Sequence, residues 1–116
     1  MTKHLFLVFT RPTPGREAEF NDWYDNEHLG DVLRVPGVTA AQRFRVAPQF
    51  TTPDMLHGYL AIYEIEGDDP QAALAAISGA ANTDAMHISD ALDTAAALTF
   101  LAKPISRRVS EEPAGG

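Results

Sequence analysis

Residues 19–38 of the chain read EFNDWYDNEHLGDVLRVPGV, and this stretch concentrates the side chains best suited to moving a proton. His28 is the residue in it whose ordinary pKa lies near neutrality, so it can give or take a proton under physiological conditions. Asp25 stands three residues before it and Asp31 three after, and on a helix either spacing brings a carboxylate within reach of the imidazole. A carboxylate so placed raises the histidine pKa and selects one tautomer, as a general acid or base requires. Trp23 and Tyr24 would supply an apolar wall that excludes water. Spacing alone leaves a second reading open: the helix dipole favours a histidine at a helix C-terminus with no chemistry implied, and aromatics at helical spacing commonly form core.

Other groups can assist. Arg43 or Arg45, on a strand face lining a cleft, can hold a carboxylate or phenolate through paired hydrogen bonds. The alternative is pairing with acidic residues at the surface or across a dimer, the reading preferred for Arg45. Tyr59 and Tyr63 share a strand face, where their hydroxyls donate to a substrate oxygen or simply reach the edge of a core. His4, His57 and His87 offer no metal motif with His28, because no pair has the i, i+4 spacing of a helical site and no short two-ligand clip exists. No Gly-x-Gly-x-x-Gly, phosphate loop or Gly-x-Ser-x-Gly elbow is present, so nucleotide cofactors and serine hydrolysis find no support.

These residues need elements to position them. Residues 3–10 (KHLFLVFT) form a continuous apolar run closed by Arg11-Pro12-Thr13-Pro14-Gly15, the pattern of a strand buried on both faces. From Arg16 the period changes: Phe20, Trp23, Tyr24, Glu27 and His28 recur at helical spacing, with Glu17 and Glu19 in the first turn. Gly30 is a predicted stop, with a short extra turn before Pro36-Gly37. Residues 38–46 alternate, placing Val38, Ala40, Gln42, Phe44 and Val46 on one face and Thr39, Ala41, Arg43 and Arg45 on the other. A loop over 47–56 precedes a third strand at 57–66. Asp68-Asp69-Pro70 starts a helix that ends near Gly79. The segment 82–93 fits neither period, and 95–102 reads as the last strand.

The order is β-α-β-β-α-β, an α+β arrangement of ferredoxin-like type with a four-stranded antiparallel sheet. Helices cover one face of such a sheet. The apolar character of the first strand implies that the second face is covered too, most economically by a second copy packed sheet to sheet, so a homodimer is expected. The domain is assigned to residues 1–105, and residues 106–116, rich in Ser, Arg, Glu, Pro and Gly, read as a disordered tail.

A chain of 116 residues with 45% hydrophobic content is one domain's worth of sequence. It has no cysteine, which removes disulfides, thiolate metal ligands and cysteine nucleophiles. A net charge of −7 argues against nucleic acid as a partner. The apolar run Leu5–Phe9 is too short for a signal or a membrane span, so a cytoplasmic location without membrane contact is expected.

The segment WYDNEHLGDVLRVPGVTAAQRFRV resembles the EthD-like branch of the dimeric α+β barrel superfamily, which shows an aromatic pair, a polar spacer, a His-Leu-Pro-Asp-like motif and a Pro-Gly turn into the second strand. YLAIYEIEGDDPQAAL resembles the third strand and second helix of that branch, and SDALDTAAALTFLAKPI its closing segment, so the likeness extends over residues 3–105. One departure is Gly30 in place of the usual proline after His-Leu, which leaves that turn less rigid. The resemblance implies a dimer with one cleft per subunit between sheet and helices, faced by His28. It also implies cofactor-independent chemistry on small, often aromatic, compounds.

The function expected is a lyase or decarboxylase acting without cofactor or metal on a small aromatic or hydrophobic acid. His28 would move the proton, Asp31 or Asp25 orient it, and Trp23 and Tyr24 shape the pocket, with Arg43, Tyr59 or Tyr63 stabilising negative charge. The alternatives are a cofactor-free oxygenase of an aromatic substrate and a non-catalytic ligand-binding or accessory protein.

Overall fold

The computed structural model describes residues 2–47 and 58–111. Of the loop predicted over 47–56 all but Ala47, together with His57, lies outside the described residues. Four strands, β1 (Lys3–Thr10), β2 (Val38–Arg45), β3 (Tyr59–Glu66) and β4 (Leu98–Ala102), form one antiparallel sheet in the order β2-β3-β1-β4. This is the ferredoxin-like order expected from the pattern, with helices on one face. The helices are α1 (Glu17–Trp23), α2 (Leu29–Leu33) and α3 (Pro70–Ala80).

The α1 and α2 segments are one continuous rod, joined by a π turn over Tyr24–His28. The backbone N–H of Leu29 reaches back five residues to the Tyr24 carbonyl. Gly30 therefore does not stop the helix. It lies inside α2, where an added Cβ would meet only the end of the Arg34 side chain. The rod ends instead at Arg34, and the chain turns through Pro36-Gly37. Gly37 has φ +97°, a left-handed conformation that a Cβ disfavours, and a Cβ there would sit 3.4 Å from that of Ala73. Glycine is needed at the second site, not the first.

Strand β2 also departs from simple alternation. Val38 pairs with Ile65 and Ala40 with Glu64, so Thr39 is an extra residue in a bulge. Val38 consequently faces the helices together with Ala41, Arg43 and Arg45, rather than the opposite side with Ala40, Gln42 and Phe44. The bulge resolves a conflict in the sequence, because both Val38 and Arg43 pack under the helices.

The helix-facing side of the sheet carries His4, Phe6, Val8, Thr10, Tyr59, Ala61, Tyr63 and Ile65. It meets Phe20, Trp23, Tyr24 and Val32 in the core. The other side presents Leu5, Leu7 and Phe9 from β1, Leu60 and Ile62 from β3, and Leu98 and Phe100 from β4. Strand β1, expected to be buried on both faces, is only half-buried on this second side in the single chain. Phe100 keeps 54% of its surface exposed, Leu98 45% and Phe44 41%.

Residues 81–93 form no helix or strand, yet they are anchored. Asn82, at φ 65°, donates its N–H to the Met86 carbonyl, and Thr13 donates to the Ala91 carbonyl through N–H and to the Asp90 carbonyl through Oγ1. Arg11 Nε pairs with Asp93 at 3.0 Å. A single 3-10 turn (Thr94–Ala96) stands where the last strand was predicted to begin. Residues 106–111 are exposed and form no regular element.

At the start of α3, Asp69 accepts a hydrogen bond from the Ala72 N–H at 3.1 Å, with Pro70 at the first helical position. Replacing Asp69 by Ala should lower stability by about 1 kcal/mol. Urea denaturation of wild type and variant measures it, and an unchanged midpoint would mean that α3 does not depend on this cap.

Candidate functional site

Between the π turn and α2, the sheet, α3 and the 81–97 segment lies a cavity of about 310 Å³. That is at the small end of the range for small-molecule sites, about 300–1,000 Å³. Phe6, Val8 and Tyr63 form its floor on the sheet, and Tyr24, His28 and Val32 come from the long helical rod. Ile77 and Ser78 belong to α3, while Ala81, Asn82, Met86, Ile88 and Leu92 close the top. Trp23 pins this roof in place, its Nε1 donating to the His87 carbonyl at 3.1 Å.

The π turn sets how the rings meet. In an uninterrupted α-helix, residues five apart project about 140° from each other. The widened turn brings Trp23 and His28 together instead, with ring centroids 4.5 Å apart and planes nearly parallel. Tyr24 meets the same imidazole edge-on at 5.0 Å. Glu27, grouped with this face by spacing, is exposed. His28 is 9% exposed, and its Nδ1 is enclosed without a hydrogen-bond partner.

This burial controls the electrostatics. Desolvation pushes His28 down to about 4, against a weaker upward pull from Asp31. The direction is opposite to the one expected from the neighbouring carboxylate. Asp31 is buried at the start of α2 and hydrogen-bonds Arg34 one turn later. His28 is thus a neutral imidazole at neutral pH. Burial likewise raises the Tyr24 and Tyr63 phenols, which stay protonated. Their hydroxyls lie 3.5 Å apart, Tyr63 donating to Tyr24.

The remaining sequence candidates form a separate group on the far side of the Tyr24 ring. Arg43 does face the helices, with its guanidinium 4.4 Å from the Tyr24 centroid and about equally distant from Tyr59 and Phe20, at 5.3 and 5.4 Å. It donates to Asp25 at 2.7 Å and to Asn21 at 2.8 Å. Asp25 therefore pairs with Arg43 rather than with His28. The Tyr59 hydroxyl donates to Glu17, and Arg45 stacks over the Tyr59 ring. Neither Arg43 nor Tyr59 lines the cavity. Of the residues singled out by sequence, His28, Tyr24 and Tyr63 converge on it, and Trp23 backs them.

The sequence offers a signal for Phe6 and Val8, which alternate on β1 with the same parity as the buried face. It offers none for Asn82, Met86, Ile88 and Leu92, whose segment has no period. Among the described residues no three or more His, Asp or Glu side chains gather in a metal-binding arrangement, and no helix is long and apolar enough to cross a membrane.

No family model matches the chain, and no curated protein matches it. Its fold is similar to the 1.40 Å crystal structure of an ethyl tert-butyl ether D (EthD) family protein from Bacillus halodurans. The TM-score is 0.58 over 90% of this chain and 100% of that one, with 14% identical residues. The ferredoxin-like α+β fold inferred from the residue pattern is thus shared with an EthD family protein.

The buried imidazole makes stability depend on pH in a definite sense. Unfolded His28 binds its proton near the ordinary 6.5, folded His28 only near about 4. Between those values the unfolded chain holds the extra proton. The contribution of neutral His28 is therefore complete above about 6.5 and disappears as pH falls toward 4, a loss on the order of 3 kcal/mol. Denaturation midpoints of wild type and His28→Gln across this interval test it. The variant should show a flatter decline, and parallel curves would place His28 in contact with solvent.

Proposed function

We propose that the cavity is an active site in which His28 exchanges a proton with a small, mostly apolar compound. The observation that carries this reading is a neutral, enclosed imidazole set beside two protonated phenols in the wall of a ligand-sized cavity. Neutral His28 is unprotonated at working pH and so is free to accept a proton. Its basicity rises when a bound compound presents developing negative charge beside it. Tyr24 and Tyr63 are hydrogen-bond donors suited to stabilising an oxyanion formed in the same step. Trp23, stacked on the imidazole and tied to the roof, limits its rotation.

This division of labour suits reactions that begin by removing a proton next to a carbonyl or phenol, including the elimination and carbon–carbon cleavage steps of a lyase. It suits decarboxylation less, since a carboxylate entering the cavity meets no arginine or lysine among the described residues of its wall. A ligand carrier is a second reading, favoured by the low basicity of the free imidazole.

Hydrogen–deuterium exchange at the carbon next to the carbonyl of a panel of aryl ketones separates the two. Wild type should accelerate exchange, and His28→Gln should lose about 100-fold or more of that acceleration. Equal rates in the two proteins would take His28 out of the chemistry and leave the carrier reading.

We also propose that a second copy covers the open sheet face. A contiguous patch including Phe44, Leu98 and Phe100 is larger than isolated surface residues require, and such patches mark association sites. Sedimentation at micromolar concentration should give a dimer for wild type and a monomer for Phe100→Glu. A monomeric wild type would refute the pairing.

A further inference from the structure

Among the described residues, every polar group on the cavity wall is uncharged. His28 is neutral, and the rest are Tyr24, Tyr63, Ser78, Asn82, Thr94 and Thr99. The nearest arginines are already engaged elsewhere. Arg43 sits behind the Tyr24 ring, its guanidinium bonded to Asp25 and Asn21 and only 12% of its side chain exposed. Arg34 lies outside the cavity, paired with Asp31. An anion placed in this cavity would leave water without gaining an ionic partner, which is costly. An uncharged oxygen has the opposite prospect. The Tyr63 hydroxyl donates to Tyr24 at 3.5 Å and Thr10 is a second hydrogen-bond partner of the Tyr24 hydroxyl, so an acceptor on a ligand competes with Thr10 for the Tyr24 proton.

We infer that the ligand of this site is an uncharged compound of about one ring, anchored through a carbonyl or hydroxyl oxygen at the Tyr24–Tyr63 pair, and that carboxylates are excluded. The inference rests on the cavity being a ligand site and narrows the compounds it takes. Protonating His28 beside an anionic ligand offsets only part of that cost, because it works against the burial that keeps the free imidazole neutral.

The test uses near-isosteric probes that differ in charge. Titrations of labelled protein with 4-methylbenzamide, 4-methylbenzoate and toluene at about pH 7, followed by NMR shifts of the Met86 and Ile88 methyl groups, read binding inside the cavity. The amide should bind about tenfold or more tightly than the carboxylate. Tyr24→Phe should weaken the amide about fivefold while leaving toluene unchanged, a split that general damage to the cavity would not produce. Carboxylate binding equal to that of the amide would overturn the exclusion of anions. An amide affinity indifferent to Tyr24→Phe would overturn the anchor. Silence of both methyl groups toward all three probes would remove the cavity as a ligand site, and the inference with it.

Discussion

The placement of the rings depends on one extra residue wound into the turn Tyr24–His28. Without it, Trp23 and His28 would project from different sides of the rod, and the imidazole would have no aromatic plane to rest on. With it, a tryptophan, a histidine and a tyrosine pack in succession, and Tyr24 passes the contact on to Arg43 on β2. A π turn breaks the regular hydrogen-bond ladder and persists where packing compensates for it. Here the compensation is the aromatic cluster itself, together with the indole N–H held by the roof segment.

Charge is segregated by the same arrangement. Three carboxylates near the site are bonded to partners away from the cavity: Asp25 to Arg43, Asp31 to Arg34, Glu17 to the Tyr59 hydroxyl. The guanidinium of Arg43 is buried among three rings, where its planar face suits aromatic stacking and its edge suits the two side chains it binds. The cavity on the other side of Tyr24 is left, among the described residues of its wall, with dipoles and no fixed ions. In such surroundings each hydrogen bond is stronger and each unpaired charge more costly than in water.

Much of the architecture is legible from residue pattern. The run at β1, the switch to helical period after Arg16 and the Asp69-Pro70 start of α3 are local signals, and the observed elements follow them closely. The misread features arise from packing. Gly30 resembles a helix stop, but nothing at its position requires glycine, and the aromatic face carries the rod past it to Leu33. The bulge at Thr39 is invisible to a period-two reading, since only contact with the helices decides that Val38 and Arg43 must face the same way. The proton affinity of His28 has the same origin. Sequence shows a carboxylate three residues away, whereas the shift depends on how much water the surrounding rings exclude.

The bulge at Thr39 also governs which changes of length β2 can absorb. Removing that one residue would make Val38 and Ala40 ordinary neighbours opposite Ile65 and Glu64, with Ala41 and Arg43 still toward the helices and Gln42 and Phe44 still toward the open face. The loss of the bulge residue would thus leave Arg43 in its nest of rings. Thr39 is slack in the strand, and the identities of Val38 and Arg43 are constrained there more tightly than the length of chain between them.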